Sequence, residues 1–220
     1  MDAWFHIFQE SISLVLGFLI LKEVSPLARL HSKDIPELYW LQTWAIFSII
    51  FTAIHVSIAT FGILSGISMA AIIPLTYLPE RVSDSLFAFF CAKPPKQDHK
   101  SVMRISTAMI LLFIGLGVYA ITFTTNAHSL GAIGRPQELL QVLPAAIAFG
   151  ALLDVQKKFG KFLKWSTLAT LIGGMVMLAS HRIFDLPFEI AHWFKVLSYL
   201  IIFINVKILM RDIRKEPHDA

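Results

Sequence analysis

The sequence predicts an all-α, polytopic membrane protein, a single bundle of seven transmembrane helices over residues 1–220 with its N-terminus outside and its C-terminus cytoplasmic. Three observations carry that expectation. The chain is 56% hydrophobic and 15% charged, where soluble domains run about 45–50% apolar and about 25% charged. Its apolar residues gather into seven runs, most near the length of about 20 residues that a helix needs to cross the hydrocarbon core. Its basic residues lie almost wholly on alternate sides of those runs, as the positive-inside rule requires.

These observations also exclude. A mean hydropathy of +0.67 and 18 phenylalanines are incompatible with disorder, and the spans consume too much chain to leave a soluble catalytic domain. A net charge of +4 with an isoelectric point near 9.2 reflects cytoplasmic loops rather than nucleic-acid binding. The single cysteine, Cys91, has no intrachain partner for a disulfide. The start, Met1-Asp-Ala-Trp-Phe-His6, lacks the basic region of a signal peptide, so the first helix is expected to be retained.

In chain order the predicted spans are Trp4–Leu21, Tyr39–Ile58, Leu64–Leu78, Ile105–Phe123, Glu138–Asp154, Trp165–Ser180 and Phe188–Met210. They mix Leu, Ile, Phe and small residues without the strict alternation of barrel strands. The second and third are joined by a tight turn near Thr60–Gly66, with one long helix plus a re-entrant piece as the competing arrangement. Residues 79–104 form the one long loop, cytoplasmic and broken by Lys93-Pro94-Pro95-Lys96. Within it, Leu86–Phe90 reads equally as an interfacial segment or a solvated linker. Residues 211–220 make a short cytoplasmic tail. With this topology the inner segments hold 15 Lys and Arg and the outer ones two, Arg135 and Arg182. Gly173-Gly174 and Gly115-x-Gly117 read as close helix packing, Trp4, Trp40, Trp165 and Trp193 as an aromatic belt, and Lys207 as a snorkelling cation.

Most of the histidines then fall at one membrane level. His6, Glu10, His55, His128, His181, Asp185 and His192 all lie in the outer half or the outer loops. An ionisable group within a span costs about 2.5–3.5 kcal/mol even on the lenient insertion scale, so it faces the bundle or a wet cavity. Glu10, His55, His192 and Lys195 are the residues concerned. His192, Lys195 and Tyr199 follow at i, i+3 and i+7 and share one helix face. A carboxylate and two imidazoles, Glu10, His55 and His192, suit zinc or copper, or a proton-sensing role. The opposing reading is a helix-to-helix hydrogen bond between Glu10 and His55 that only orients the bundle. His128 and His181, near water, need no partner, and Met175 and Met177 read as packing. No His-Glu-x-x-His or Gly-x-Ser-x-Gly motif is present.

The segment Phe184-Asp185-Leu-Pro-Phe188-Glu-Ile-Ala191-His192-Trp-Phe-Lys195-Val-Leu-Ser198-Tyr199 resembles the entry to the last helix of bacterial membrane-associated sensor domains of the MASE type. Arg135-Pro136-Gln-Glu-Leu139-Leu140, Glu10 early in the first helix and His55 late in the second are similar to the same family. The resemblance implies a seven-helix sensing bundle in the bacterial cytoplasmic membrane, with Glu10, His55, Asp185, His192 and Lys195 lining the sensed site and Tyr199 one turn beyond. Members of that family continue into a cytoplasmic signalling domain, whereas this sequence ends about ten residues after its last span. A non-enzymatic bundle acting through partner chains is therefore expected, either a separate signalling protein or the other subunits of a membrane complex, with lipid around it and no nucleic acid. The alternatives are a zinc-dependent intramembrane hydrolase and a b-type haem subunit ligated by His55 with His181 or His192.

Overall fold

The computed structural model describes residues 3–31, 35–66, 74–93, 108, 115, 138–153, 155, 158–181 and 184–215. Over these residues the chain is all α-helical, with six helices: α1 (Ala3–His31), α2 (Pro36–Ser65), α3 (Pro74–Ala92), α4 (Leu139–Leu153), α5 (Lys158–Leu178) and α6 (Leu186–Lys215). Three of them contain segments long and apolar enough to cross a membrane, at Trp4–His31, Glu37–Ser65 and Leu186–Asp212, while α4 and α5 are shorter apolar helices.

The surface pattern explains why such helices assemble. On α6 the exposed residues Leu186, Ile190, Trp193, Leu197, Leu200 and Ile204 recur every three or four positions, and on α2 Ile46, Ile50 and Ile54 do the same. These outward faces are apolar, whereas Gln9, Glu10, Ser13, Ser48, Thr52 and His55 are buried. A helix with its oil outside and its polar groups inside is matched to lipid, not water. At the ends, Gly66 closes α2 in the left-handed conformation with φ 70°, which glycine adopts without a Cβ penalty. Lys164 donates from Nζ to the Leu153 carbonyl at the end of α4 (2.8 Å).

Successive contacts run α1–α2, α2–α3, α3–α4, α4–α5, α5–α6 and α6–α1, closing a ring, and α3 also touches α5. Side-chain pairs fix directions. His6 meets His55 and Ser25 meets Gln42, so α1 and α2 are antiparallel. Trp44 meets Asp84 and Thr52 meets Glu80, so α3 reverses again. Glu10 pairs with Lys195 and Glu23 with Lys207, so α1 and α6 run parallel. Tyr77 reaches Glu138, and Arg81 lies opposite Gln141 across a cavity, so α3 and α4 are parallel too. Ala92 and Leu139 therefore sit at opposite ends of the bundle.

Several expectations shift. The third span was expected over Leu64–Leu78 with a loop from residue 79. Instead α2 runs unbroken through the expected turn to Ser65, and α3 covers Pro74–Ala92. Leu78 and every residue from Pro79 to Ser85 are buried, so charges that read as solvated loop are ligated inside the bundle. Helix α3 ends at Ala92 rather than at Leu78, because the residue before a proline avoids the α region and Lys93 precedes Pro94. Phe87 is no interfacial residue: it stacks on Trp44 at 5.2 Å. Trp40 leaves the belt for the core, 4.7 Å from Phe90, while Trp4, Trp165 and Trp193 are exposed. Lys207 pairs with Glu23. The expected span Ile105–Phe123 lies outside the described residues except for 108 and 115, which are helical. So do His128, Arg135, Pro136 and residues 94–104. Of the tail, residues 211–215 are the last turn of α6.

Candidate functional site

The N-terminal ends of α1 and α6 and the C-terminal half of α2 converge on four side chains of metal-ligand type. His6 Nε2 lies 3.1 Å from His55 Nε2, and their rings are nearly perpendicular at 88°. Glu10, one turn after His6 on the same face of α1, joins them. One ligand atom from each of His6, Glu10 and His55 can be chosen so that all lie within 4.8 Å of one another, and all three residues are buried. His192 closes the group from α6, its Nε2 3.5 Å from Glu10 Oε1 and its ring 4.5 Å from that of His6.

The outer groups orient this set. His192 Nδ1 donates to the Phe188 carbonyl (2.7 Å), leaving the Nε2 lone pair turned toward Glu10, as second-shell partners orient ligating histidines. Lys195 holds Glu10 Oε2, which leaves Oε1 to the imidazoles. Phe188 and Phe184 wall the His6 ring at 5.2 and 6.0 Å. The His6 Nδ1 atom is buried without a hydrogen-bond partner, an uncompensated polar atom in an aromatic pocket.

Zinc–nitrogen bonds of 2.0–2.1 Å in a tetrahedron place two nitrogens about 3.3 Å apart. The His6–His55 separation of 3.1 Å is within a few tenths of that edge. The donors of this group, two imidazoles and one carboxylate with His192 beside them, are of the class that zinc takes. The same closeness leaves no slot for a porphyrin between these two rings.

Below this cluster a second layer is continuous with it. Lys195 Nζ also reaches Glu80 Oε1 (2.8 Å) and Oε2 (2.9 Å) from α3. Glu80 Oε1 accepts from Thr52 (2.6 Å) and from Tyr199 (2.8 Å), and Tyr199 contacts Ser48. Lys195, barely exposed, thus bridges two buried carboxylates from two other helices.

Of the residues expected to line a site, Glu10, His55, His192, Lys195 and Tyr199 are brought together in this way. Asp185 is placed differently, at the start of α6. Its Oδ1 accepts from the Phe188 amide (3.0 Å), as an N-cap does, and its Oδ2 from the His181 amide (2.8 Å). Phe184, just before it, adopts a left-handed φ of 65°, which is rare for a bulky residue and turns its ring toward His6. His181 is exposed. His6 and Glu80 had not been singled out as site residues. His6 was readable from its spacing of four from Glu10. Glu80 was readable from its own i, i+4 partner Asp84 in a stretch that also holds Ser83 and Ser85.

Fold and cluster together define a class: an all-helical chain with three helices suited to a membrane, and a buried histidine–glutamate group that could hold a metal. Compared with known proteins, the chain matches no protein-family model, no curated protein and no solved structure.

Proposed function

We propose that this chain is a non-enzymatic integral membrane protein that binds one zinc ion through His6, Glu10, His55 and His192 and reports its occupancy to partner chains. The observation that carries the reading is the convergence of His6, Glu10 and His55, with ligand atoms within 4.8 Å and no exposed member. His192, its Nε2 3.5 Å from Glu10 Oε1, is the fourth ligand of the proposed site. A closed, four-ligand site of that kind holds metal, whereas catalytic zinc keeps an open position for water.

The sensor-like part rests on the resemblance of Phe184–Tyr199 to the MASE domains and on the Lys195 bridge. A metal held by Glu10 Oε1 would withdraw negative charge from the Oε2 that Lys195 holds and so shift the ammonium's balance toward Glu80 on α3. Occupancy at one end of the bundle is thereby linked to the position of α3, which a partner chain in the bacterial cytoplasmic membrane can read.

The test is metal content by mass spectrometry after zinc loading and gel filtration of detergent-purified protein. About one zinc per chain is expected for the wild type, with loss in His6→Ala, His55→Ala and Glu10→Gln. Negligible zinc in the wild type, or equal zinc in all four proteins, overturns the reading. Cross-linking in native membranes then tests the partner: a specific band that strengthens or weakens with zinc is expected.

A further inference from the structure

A second polar cavity, separate from the histidine cluster, lies between α2, α3, α5 and α6. It measures about 10 Å³, the room needed by one water molecule or one small ion. Six oxygen-bearing side chains line it: Asp84, Ser85, Ser166, Thr167, Thr170 and Ser198. The Trp44 indole, also on the wall, donates to Asp84 Oδ1 (2.6 Å). The other carboxylate oxygen, Oδ2, is buried without any hydrogen-bond partner, although Asp84 is only 8% exposed.

Four of the five hydroxyl protons nearby are committed, that of Ser85 to the Arg81 carbonyl. Thr170 Oγ1 donates to the Ser166 carbonyl (3.2 Å). Ser198 lies 3.1 Å from Thr170 Oγ1 and 2.8 Å from Ser166 Oγ. With Thr170 committed, Ser198 donates to Thr170 and Ser166 donates to Ser198. All three protons stay within the cluster, and the oxygens offer the cavity lone pairs. An enclosure of acceptors around an unsatisfied carboxylate oxygen calls for a cation.

A single carboxylate with neutral oxygens suits a monovalent ion, since hard divalent cations gather several carboxylates. A water-sized space favours sodium over the larger potassium.

The geometry points to a sodium-binding site formed by Asp84 Oδ2 and the hydroxyl oxygens of Ser166, Thr170 and Ser198. It is carried by different residues from the zinc reading and stands without it. Sodium here pins α3 to α5 and α6 through oxygens that otherwise face a void.

The experiment is equilibrium binding of radioactive sodium to the detergent-purified full chain, in choline chloride at constant ionic strength and with a metal chelator present. Saturable binding is expected, displaced by unlabelled sodium and at least tenfold less well by potassium. Asp84→Asn should abolish it, Thr170→Val should weaken it at least tenfold, and His55→Ala should leave it unchanged. Absence of saturable binding means that the cavity takes water only and overturns the site. Equal displacement by potassium overturns it as a sodium site, and so does a folded Thr170→Val chain that binds like the wild type. Sodium binding without zinc, or zinc without sodium, tells the two readings apart.

Discussion

A lysine enclosed by two carboxylates leaves both uncompensated when it is removed, and in a low-dielectric interior that loss is steep. Lys195 is such a residue, bonded to Glu10 and Glu80 with almost no exposure. Breaking a buried pair typically costs about 3–5 kcal/mol, so Lys195→Met should lower stability by that order, measured as unfolding in detergent. Adding Glu80→Gln to Lys195→Met should recover part of the loss, because one stranded charge is gone. A Lys195→Met chain as stable as the wild type would show that the bridge does not hold the bundle. Asp185 calls for the opposite contrast. As an N-cap its loss in Asp185→Ala should cost about 0.5–2 kcal/mol, while Asp185→Asn keeps an acceptor and should cost little. Both variants should load zinc fully, whereas a ligand role would deplete the metal in both. At this scale sequence reasoning found the residues whose burial in a long span is costly, namely Glu10, His55, His192 and Lys195. It passed over His6, which looked interfacial three positions into α1. It also passed over Glu80 and Asp84, because a cluster of charges beside a proline has the composition of a loop whether it is solvated or neutralised by neighbours.

Helix α3 shows where pattern reading stops. The apolar run Leu64–Leu78 is continuous in composition, and only the αL conformation of Gly66 and the start at Pro74 divide it. Once divided, α3 owes its place to specific bonds, with Trp44 to Asp84 and Thr52 to Glu80, and bonds between distant residues leave no periodic trace. The contact of α5 with α6 is the reverse case, since adjacent glycines announced it. A Cβ on Gly173 would stand 3.0 Å from Phe194 Cβ and 3.2 Å from the Ala191 carbonyl, neither of which can swing away. One on Gly150 would meet nothing within 4 Å. Gly173→Ala should therefore destabilise by about 1–3 kcal/mol through overpacking. Gly150→Ala should be neutral or stabilise by roughly 0.5–1 kcal/mol through helix propensity. Thermal melts of the two variants beside the wild type check the contrast. Equal melting temperatures would mean that the two helices do not pack this closely.

At the scale of the whole molecule, helix directions bear on how the chain crosses the bilayer. Helices α1, α3, α4 and α6 point one way and α2 and α5 the other, so α3 and α4 stand parallel with Ala92 and Leu139 at opposite ends. A parallel pair needs a return path between its members, and the expected span Ile105–Phe123 would supply it as a seventh crossing. On that expectation, moving Arg81 from the inner loop into the bundle removes only one residue from the basic side. The inner side keeps Lys22 and Arg29 late on α1, Lys158, Lys161 and Lys164 early on α5, and Arg211 at the end of α6. All of these belong to one end of the ring, opposite the histidine cluster. By the positive-inside rule that end is expected to face the cytoplasm, which would put the cluster toward the outer side. A C-terminal green fluorescent protein fusion should then fluoresce and a C-terminal alkaline phosphatase fusion stay inactive, while an N-terminal epitope is reached by antibody in spheroplasts without permeabilisation. Fusions that place both termini on the same side would mean an even number of crossings, and would remove the return span and the outward orientation of the histidine cluster together.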